Sequence, residues 1–286
     1  MPANRLINEG DRIKADAVEA FQKSTGKISK RIYDRVMDRL AALQVAGNIE
    51  EQQRLIAGIE QELLAILNSS GYPAEVAQFL RVFGDVTDNV IEVQQELSAI
   101  TITPELLSPL QTAFVEDAAK YLTDAGIQYE FIQPIKDVLT NTFLTGADFG
   151  DVRTQLETLI LGDAERLGGL ERFVSQTATD SINQYDGLIQ KKISTEFEMK
   201  WYRYSGSLIE TSRPQCERWV EKFGGWLHES EFAQQIEWAI NNGSGMVPTT
   251  TPSNFTIYRG GYNCRHRMIP VGDAAVPADV KARIQS

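Results

Sequence analysis

Residues 76–97 read VAQFLRVFGDVTDNVIEVQQEL, and the apolar positions Val76, Phe79, Leu80, Phe83, Val86, Val90, Val93 and Leu97 return every three or four residues. That is the period of a helix burying one stripe, and it does not fit the two-residue alternation of a half-buried strand. The stretch comes after Ser69-Ser70-Gly71-Tyr72-Pro73, a combination that ends one helix and starts another. Working outward, Ile28, Ile32, Val36, Leu40 and Leu43 form a second stripe, and Leu55, Ile59, Leu63 and Leu67 a third beyond the Gly47-Asn48 break. Thr103-Pro104-Glu105 opens a further helix, because threonine can accept an orphan backbone N–H and proline loses nothing at the first helical position. Gly126 and Pro134 punctuate the chain beyond it. The expectation for residues 1–146 is an elongated region of packed amphipathic helices, with helices of ~20 residues each spanning about 30 Å.

The texture changes near Gly146-Ala147-Asp148. Two more helices are expected over 151–161 and 169–198, before short apolar and aromatic runs among Gly, Ser, Thr and Pro. Strands are expected at 200–204, 254–258 and 267–271, and a loop at 243–252. The expected fold class is mainly α, with the helical region followed over 147–286 by a small α+β C-terminal module holding a short β-sheet. A chain of 286 residues exceeds one average domain, which agrees with two units.

The chain carries 39 acidic against 28 basic residues, a net charge of -11, which opposes broad adhesion to nucleic-acid phosphates. There is no apolar run long enough for a membrane span, and MPANRLINEGDRIKADAVEAF at residues 1–21 lacks an apolar signal core. Synthesis in the cytoplasm and no membrane association are therefore expected.

Three polar constellations stand out. The first is the helix around 177–190, where Thr177, Asp180, Asn183, Gln184, Asp186 and Gln190 lie among apolar residues and Gly187 sits in the interior. A glycine there costs about 1 kcal/mol of helix propensity, an expense explained if another backbone comes close, while Asn183 can hold a following loop through hydrogen bonds. The alternative is a solvated polar face. The second is WYRYSGSLIETSRPQC at 201–216, where Thr211 or Ser212 is expected to cap a helix carrying Cys216 in its first turn. The helix dipole there would lower the thiol pKa. The third is YRGGYNCRHR at 258–267, a glycine turn feeding a strand through Cys264 and His266.

Cys216 and Cys264 are the two cysteines, and His228 and His266 the two histidines. Together they supply the two sulfur and two nitrogen donors of a tetrahedral structural zinc site. A Cys216–Cys264 disulfide and a pair of reduced buried cysteines are the alternatives. No activated-nucleophile motif accompanies Cys216, so catalysis is not expected. Arg259, Arg265 and Arg267 make the turn locally basic, which would suit contact with DNA or an acidic surface, unless they form ion pairs within the chain.

Taken in order, these segments resemble the C-terminal region of phage head-morphogenesis proteins, the Mu F-like minor head family. The resemblance covers about 147–271: the helix pair DVRTQLETLILGDAERLGGLERFVSQTATDSINQYDGLI, the aromatic strand, TSRPQC, the Gly-Gly-Trp turn with ESEF, and GGYNCRHRMIPV. Thr211, Arg213, Pro214, Cys216, Asn263, Cys264 and Arg265 match the family pattern. The chain departs from it at Gly261-Tyr262, where many relatives carry His-Pro, and at His266, where many carry cysteine. The resemblance implies a minor capsid protein of the virion head, associated with the portal or capsid proteins in several copies. Its role would be in capsid assembly and in packaging or ejection of DNA, without enzymatic activity or a required cofactor. A virion-delivered enzyme or toxin and a cytosolic assembly chaperone are the rival readings.

Overall fold

The computed structural model describes residues 2–46, 48–262 and 264–285, apart from the side chains of Pro2, Phe143 and Gln285. Gly47 of the expected break and Asn263 of the cysteine turn lie outside the described residues. In chain order the helices are α1 (Pro2–Ser24), α2 (Gly26–Val45), α3 (Ile49–Ser69), α4 (Tyr72–Leu80), α5 (Val82–Ser98) and α6 (Pro104–Thr123). Next come the turn α7 (Ala125–Ile127), a π-helical turn Gln128–Ile132, α8 (Gln133–Thr145), α9 (Phe149–Leu161) and α10 (Gly169–Glu196). The remainder is β1 (Trp201–Ser205), α11 (Pro214–Glu217), a π-helical turn Arg218–Lys222, β2 (Trp226–His228), α12 (Phe232–Asn242), α13 (Phe255–Tyr258), β3 (Arg267–Val271) and α14 (Ala278–Gln285). The fold is mainly α with one small sheet, in agreement with the sequence expectation. No helix among the described residues is long and apolar enough to cross a membrane.

The chain divides into two compact units, one of residues 1–15, 82–114 and 179–286, the other of 16–81 and 115–178. This differs from a single division at 146/147. The physical reason lies in which apolar faces meet: residues 149–178 bury theirs among the earlier helices, whereas α5 buries its own beside β3.

In the second unit, α2 packs on α3 and α9, and α8 on α3 and α9. The expected stripes are the core: Ile32, Val36, Ile59 and Leu63 are almost wholly inaccessible, and Leu156 of α9 is buried as fully. Local chemistry sets the helix ends. The Asn48 side chain accepts the Glu51 N–H at 2.9 Å, and Asp148 accepts that of Gly150 at 2.8 Å, each satisfying a donor the helix cannot. Pro134 has no N–H to offer, and just before it the ladder slips to π register, with the Gln133 N–H reaching the Gln128 carbonyl.

In the first unit the sheet order is β2-β1-β3, antiparallel throughout, with Tyr202 opposite Leu227 on one side and Pro270 on the other. β3 is an edge strand, yet every residue in it is buried. Its open edge is occupied: the Gln94 amide donates to the Pro270 carbonyl at 3.0 Å, and the Gly272 N–H reaches Ser98 Oγ at 3.2 Å. Pro270 itself has no N–H to leave unpaired there. One face of the sheet carries the aromatic core of Tyr202, Tyr204, Trp219, Leu227, Phe232, Phe255 and Met268.

Two local expectations are corrected. The stripe at 76–97 is interrupted at Arg81, so that Val76 and Phe79 belong to α4 and Val82 to Val93 to α5. Residues 254–258 form a helical turn where a strand was expected. Asn254 organises it, accepting the Thr251 N–H at 2.6 Å with its side chain and the Ile257 N–H at 3.0 Å with its carbonyl. The expected turn falls at Gly224-Gly225, and strand β2 follows it from Trp226, too short at three residues to show a periodicity.

Candidate functional site

The cysteine loops are brought together by strand β1 and helix α11. Pro214 opens α11 with Arg213 at the N-cap, and Cys216 lies in its first turn. Neither Thr211 nor Ser212 caps this helix. Thr211 is exposed in the preceding turn, and Ser212 Oγ accepts the Ile209 N–H at 2.8 Å instead. The N-cap residue Arg213 points across to the other loop, donating to the Gly260 carbonyl at 2.7 Å and to the Tyr262 carbonyl. Gln215 adds a clamp, its amide donating to the carbonyls of Gly260 at 3.0 Å and Ser244 at 2.7 Å. Side-chain bonds to backbone carbonyls thus fix a loop that has little apolar surface of its own.

The result is a compact group of Cys216, Cys264 and His266, all buried, whose donor atoms lie within 4.8 Å of one another. Cys264 Sγ is 3.8 Å from His266 Nδ1. The Tyr204 hydroxyl is 3.2 Å from Cys216 Sγ and 3.4 Å from Cys264 Sγ, and its ring stacks on His266 at 4.8 Å. His266 Nε2 is buried without a hydrogen-bond partner. The two cysteines are unbridged.

The helix dipole does not decide the thiol chemistry. Hydrogen bonding to Cys264, with burial, pushes the Cys216 thiol up. The same bond, helped against burial by His266 and the Arg259 charge, draws Cys264 down. The pair therefore holds one proton more tightly than an isolated thiol and releases the other more easily. Burial pushes the Tyr204 phenol up as well.

His228 stands apart from this group. Its Nδ1 pairs with Ser230 Oγ at 2.7 Å, its ring lies 4.8 Å from Trp201, and it caps the short turn Glu229–Glu231. A residue committed to that cap, at the end of β2, is not the second nitrogen donor.

The arginines also behave differently from a surface patch. Arg265 is exposed, but Arg259 and Arg267 are 2% and 1% exposed and converge on Asp186, which is 0% exposed. Arg267 Nε lies 3.0 Å and Lys14 Nζ 2.9 Å from Asp186 Oδ2, with Arg259 Nη1 at 3.8 Å. Gln190 donates to the other carboxylate oxygen at 3.3 Å. Burial alone would raise the Asp186 pKa. The charges of Arg267, Lys14 and Arg259 outweigh that and hold the carboxyl well below the usual range. For Lys14, burial wins and lowers the pKa against the pull of Asp186. Contact of Arg259 and Arg267 with DNA is thereby corrected: both side chains are consumed inside the protein.

Asn183 holds the loop through its backbone, its carbonyl accepting from Arg259 Nη2. Arg259 adopts a positive φ of 46° to make that reach, a conformation unusual for a residue with a Cβ. Gly187 serves as the sequence indicated. A Cβ there would lie 2.6 Å from the Thr256 carbonyl oxygen and 2.7 Å from Ile257 Cα, so α13 rests directly on the glycine. Two members of the site had no signal of their own: Lys14, 172 residues from its partner, and Tyr204, one aromatic among several in β1.

No family model, curated protein or solved structure matches the chain.

Proposed function

We propose that the chain is a bacteriophage minor head protein, made in the host cytoplasm and carried in several copies in the virion head. It acts as a structural part of capsid assembly at the portal or the inner capsid surface. The observation that carries this reading is the union of two motif segments. Arg213, Pro214 and Cys216 from TSRPQC, and Cys264 from GGYNCRHR, are among the residues on which the family resemblance rests. Arg213 reaches across 47 residues of sequence to hold the Gly260 carbonyl. The order of these segments thus has a physical purpose, the closure of a small rigid module. Their burial supports a structural role over a catalytic one: Cys216, Cys264 and His266 are at most 7% exposed, out of reach of a substrate.

The expected result is that mass spectrometry of purified particles of the encoding phage finds this chain at a fixed ratio to the portal protein. A chain absent from particles while persisting free in infected cells contradicts the reading and leaves an assembly factor that departs before maturation.

A further inference from the structure

We propose that Cys216, Cys264 and His266 bind one zinc-class cation, with the Tyr204 hydroxyl as the fourth donor. The donor set differs from the sequence inventory by exchanging His228 for a tyrosine on the central strand of the sheet.

The geometry carries the assignment. With Zn–S about 2.3 Å and Zn–N about 2.0 Å, the edges of a tetrahedron are about 3.5–3.8 Å long. The separations here are 3.8 Å from Cys264 Sγ to His266 Nδ1, and 3.2 and 3.4 Å from the Tyr204 oxygen to the two sulfurs. These three separations lie within a few tenths of an ångström of a tetrahedral edge, and the donor atoms of Cys216, Cys264 and His266 all lie within 4.8 Å of one another. A glycine also lies against the group. A Cβ on Gly260 would lie 2.7 Å from both sulfurs and 3.0 Å from the Tyr204 oxygen, so only glycine lets this backbone lie against the group without pushing its donors apart.

The chemistry selects the class of ion. Sulfur donors and an imidazole favour zinc and its thiophilic neighbours and exclude calcium and magnesium, which take oxygen. Two thiolates, a neutral imidazole and a neutral phenol balance a charge of +2, which lets the loaded site remain buried without an uncompensated charge. Starting from two thiols, loading releases two protons to solvent, one from each sulfur, with no change of oxidation state. The ion would then tie the first turn of α11 and the 260–266 loop to β1, adding bonds to the junction that Arg213 and Gln215 hold with hydrogen bonds.

The test uses the full chain purified under reducing conditions. Zinc by elemental analysis and a thiol count are measured first, and the metal-free protein is then titrated with Co2+. The expected result is one zinc per chain. Cobalt should give intense tetrahedral d–d bands with thiolate charge transfer, and zinc should displace it. Cys216→Ser, Cys264→Ser and His266→Gln are expected to lose tight binding. Tyr204→Phe should weaken it roughly 10-fold or more, while His228→Gln leaves it at the parent value. Folding of each variant is monitored by far-UV circular dichroism, and the cobalt spectrum of the parent decides the matter where a variant does not fold. A folded, reduced parent that binds neither metal overturns the proposal, as does a parent cobalt spectrum without thiolate charge transfer, or loss of both thiols to a disulfide in the native chain.

Discussion

Asp186→Asn is expected to destabilise the unit of residues 1–15, 82–114 and 179–286 by about 3–5 kcal/mol, the cost of removing one partner from a buried ion pair. The asparagine keeps the shape and loses the charge, leaving Lys14, Arg259 and Arg267 buried with the partly exposed Asp11, beside Lys14, as the remaining paired carboxylate among the described residues. The three cations come from separate segments, Lys14 from α1, Arg267 from β3 and Arg259 from the turn that leads to Cys264, so the carboxylate ties all three together. The measurement is urea unfolding, with Asp34→Asn as control: the Lys30–Asp34 pair is exposed on both sides, and losing it costs well under about 1 kcal/mol. A pH series adds an independent readout. The folded pKa of Asp186 lies below that of the unfolded chain, so its stabilisation is complete above the unfolded carboxylate pKa of about 3.9 and is lost as the pH falls towards the folded value. The parent should therefore lose stability more steeply in acid than Asp186→Asn does. A variant within about 1 kcal/mol of the parent, the level of an exposed pair, would mean that the cations find other partners.

Trp219→Ala is the second large effect, about 3–5 kcal/mol for an aromatic deleted from a close-packed core. The indole is 0% exposed and meets Tyr204 and Phe255 edge to face at 5.1 and 5.2 Å. Its Nε1 donates to Gln235 at 3.1 Å, so truncation opens a cavity and leaves the glutamine oxygen with a single long bond to Arg218 at 3.4 Å. Because Tyr204 also touches both cysteines, the loss should spread to the thiol site. Calorimetry of Trp219→Ala and Trp219→Phe distinguishes the packing contribution, which phenylalanine partly restores, from the hydrogen bond, which it does not. Equal melting temperatures for parent and alanine variant would show that the indole is not part of the core.

The helical architecture was legible because it depends on a repeating signal. Each turn of α2, α3 and α5 repeats the same instruction, so the stripes and most helix boundaries can be read from the period alone. Gly187 was legible for a different reason, since an interior glycine is costly unless something needs the space. The partition into units was not. Whether α9 covers the same core as α2 depends on contacts between segments more than 100 residues apart, and local spacing carries no such information. The turn at 255–258 misled for a similar reason: Phe, Ile and Tyr suit a strand, but Asn254 and the close approach to Gly187 decide the backbone there.

The site shows the same division. Cys216, Cys264 and His266 could be gathered from an inventory because a chain with two cysteines and two histidines offers few combinations. His228 has the right chemistry but is placed elsewhere by β2, and Tyr204 carries no signal in the sequence because a phenol in an aromatic run reads as core. The arginines of the glycine turn carry charge that in sequence cannot be told from surface charge. Only the convergence of Lys14, Arg259 and Arg267 on Asp186 identifies two of them as internal.

The most direct test of the closed cysteine module is the reactivity of its thiols in the native, reduced full chain. Cys216 and Cys264 should both resist a thiol reagent and become labelled together, at the rate at which the module opens. Prompt labelling of one of them under native conditions, with the other still protected, would mean that the two loops are not held against each other.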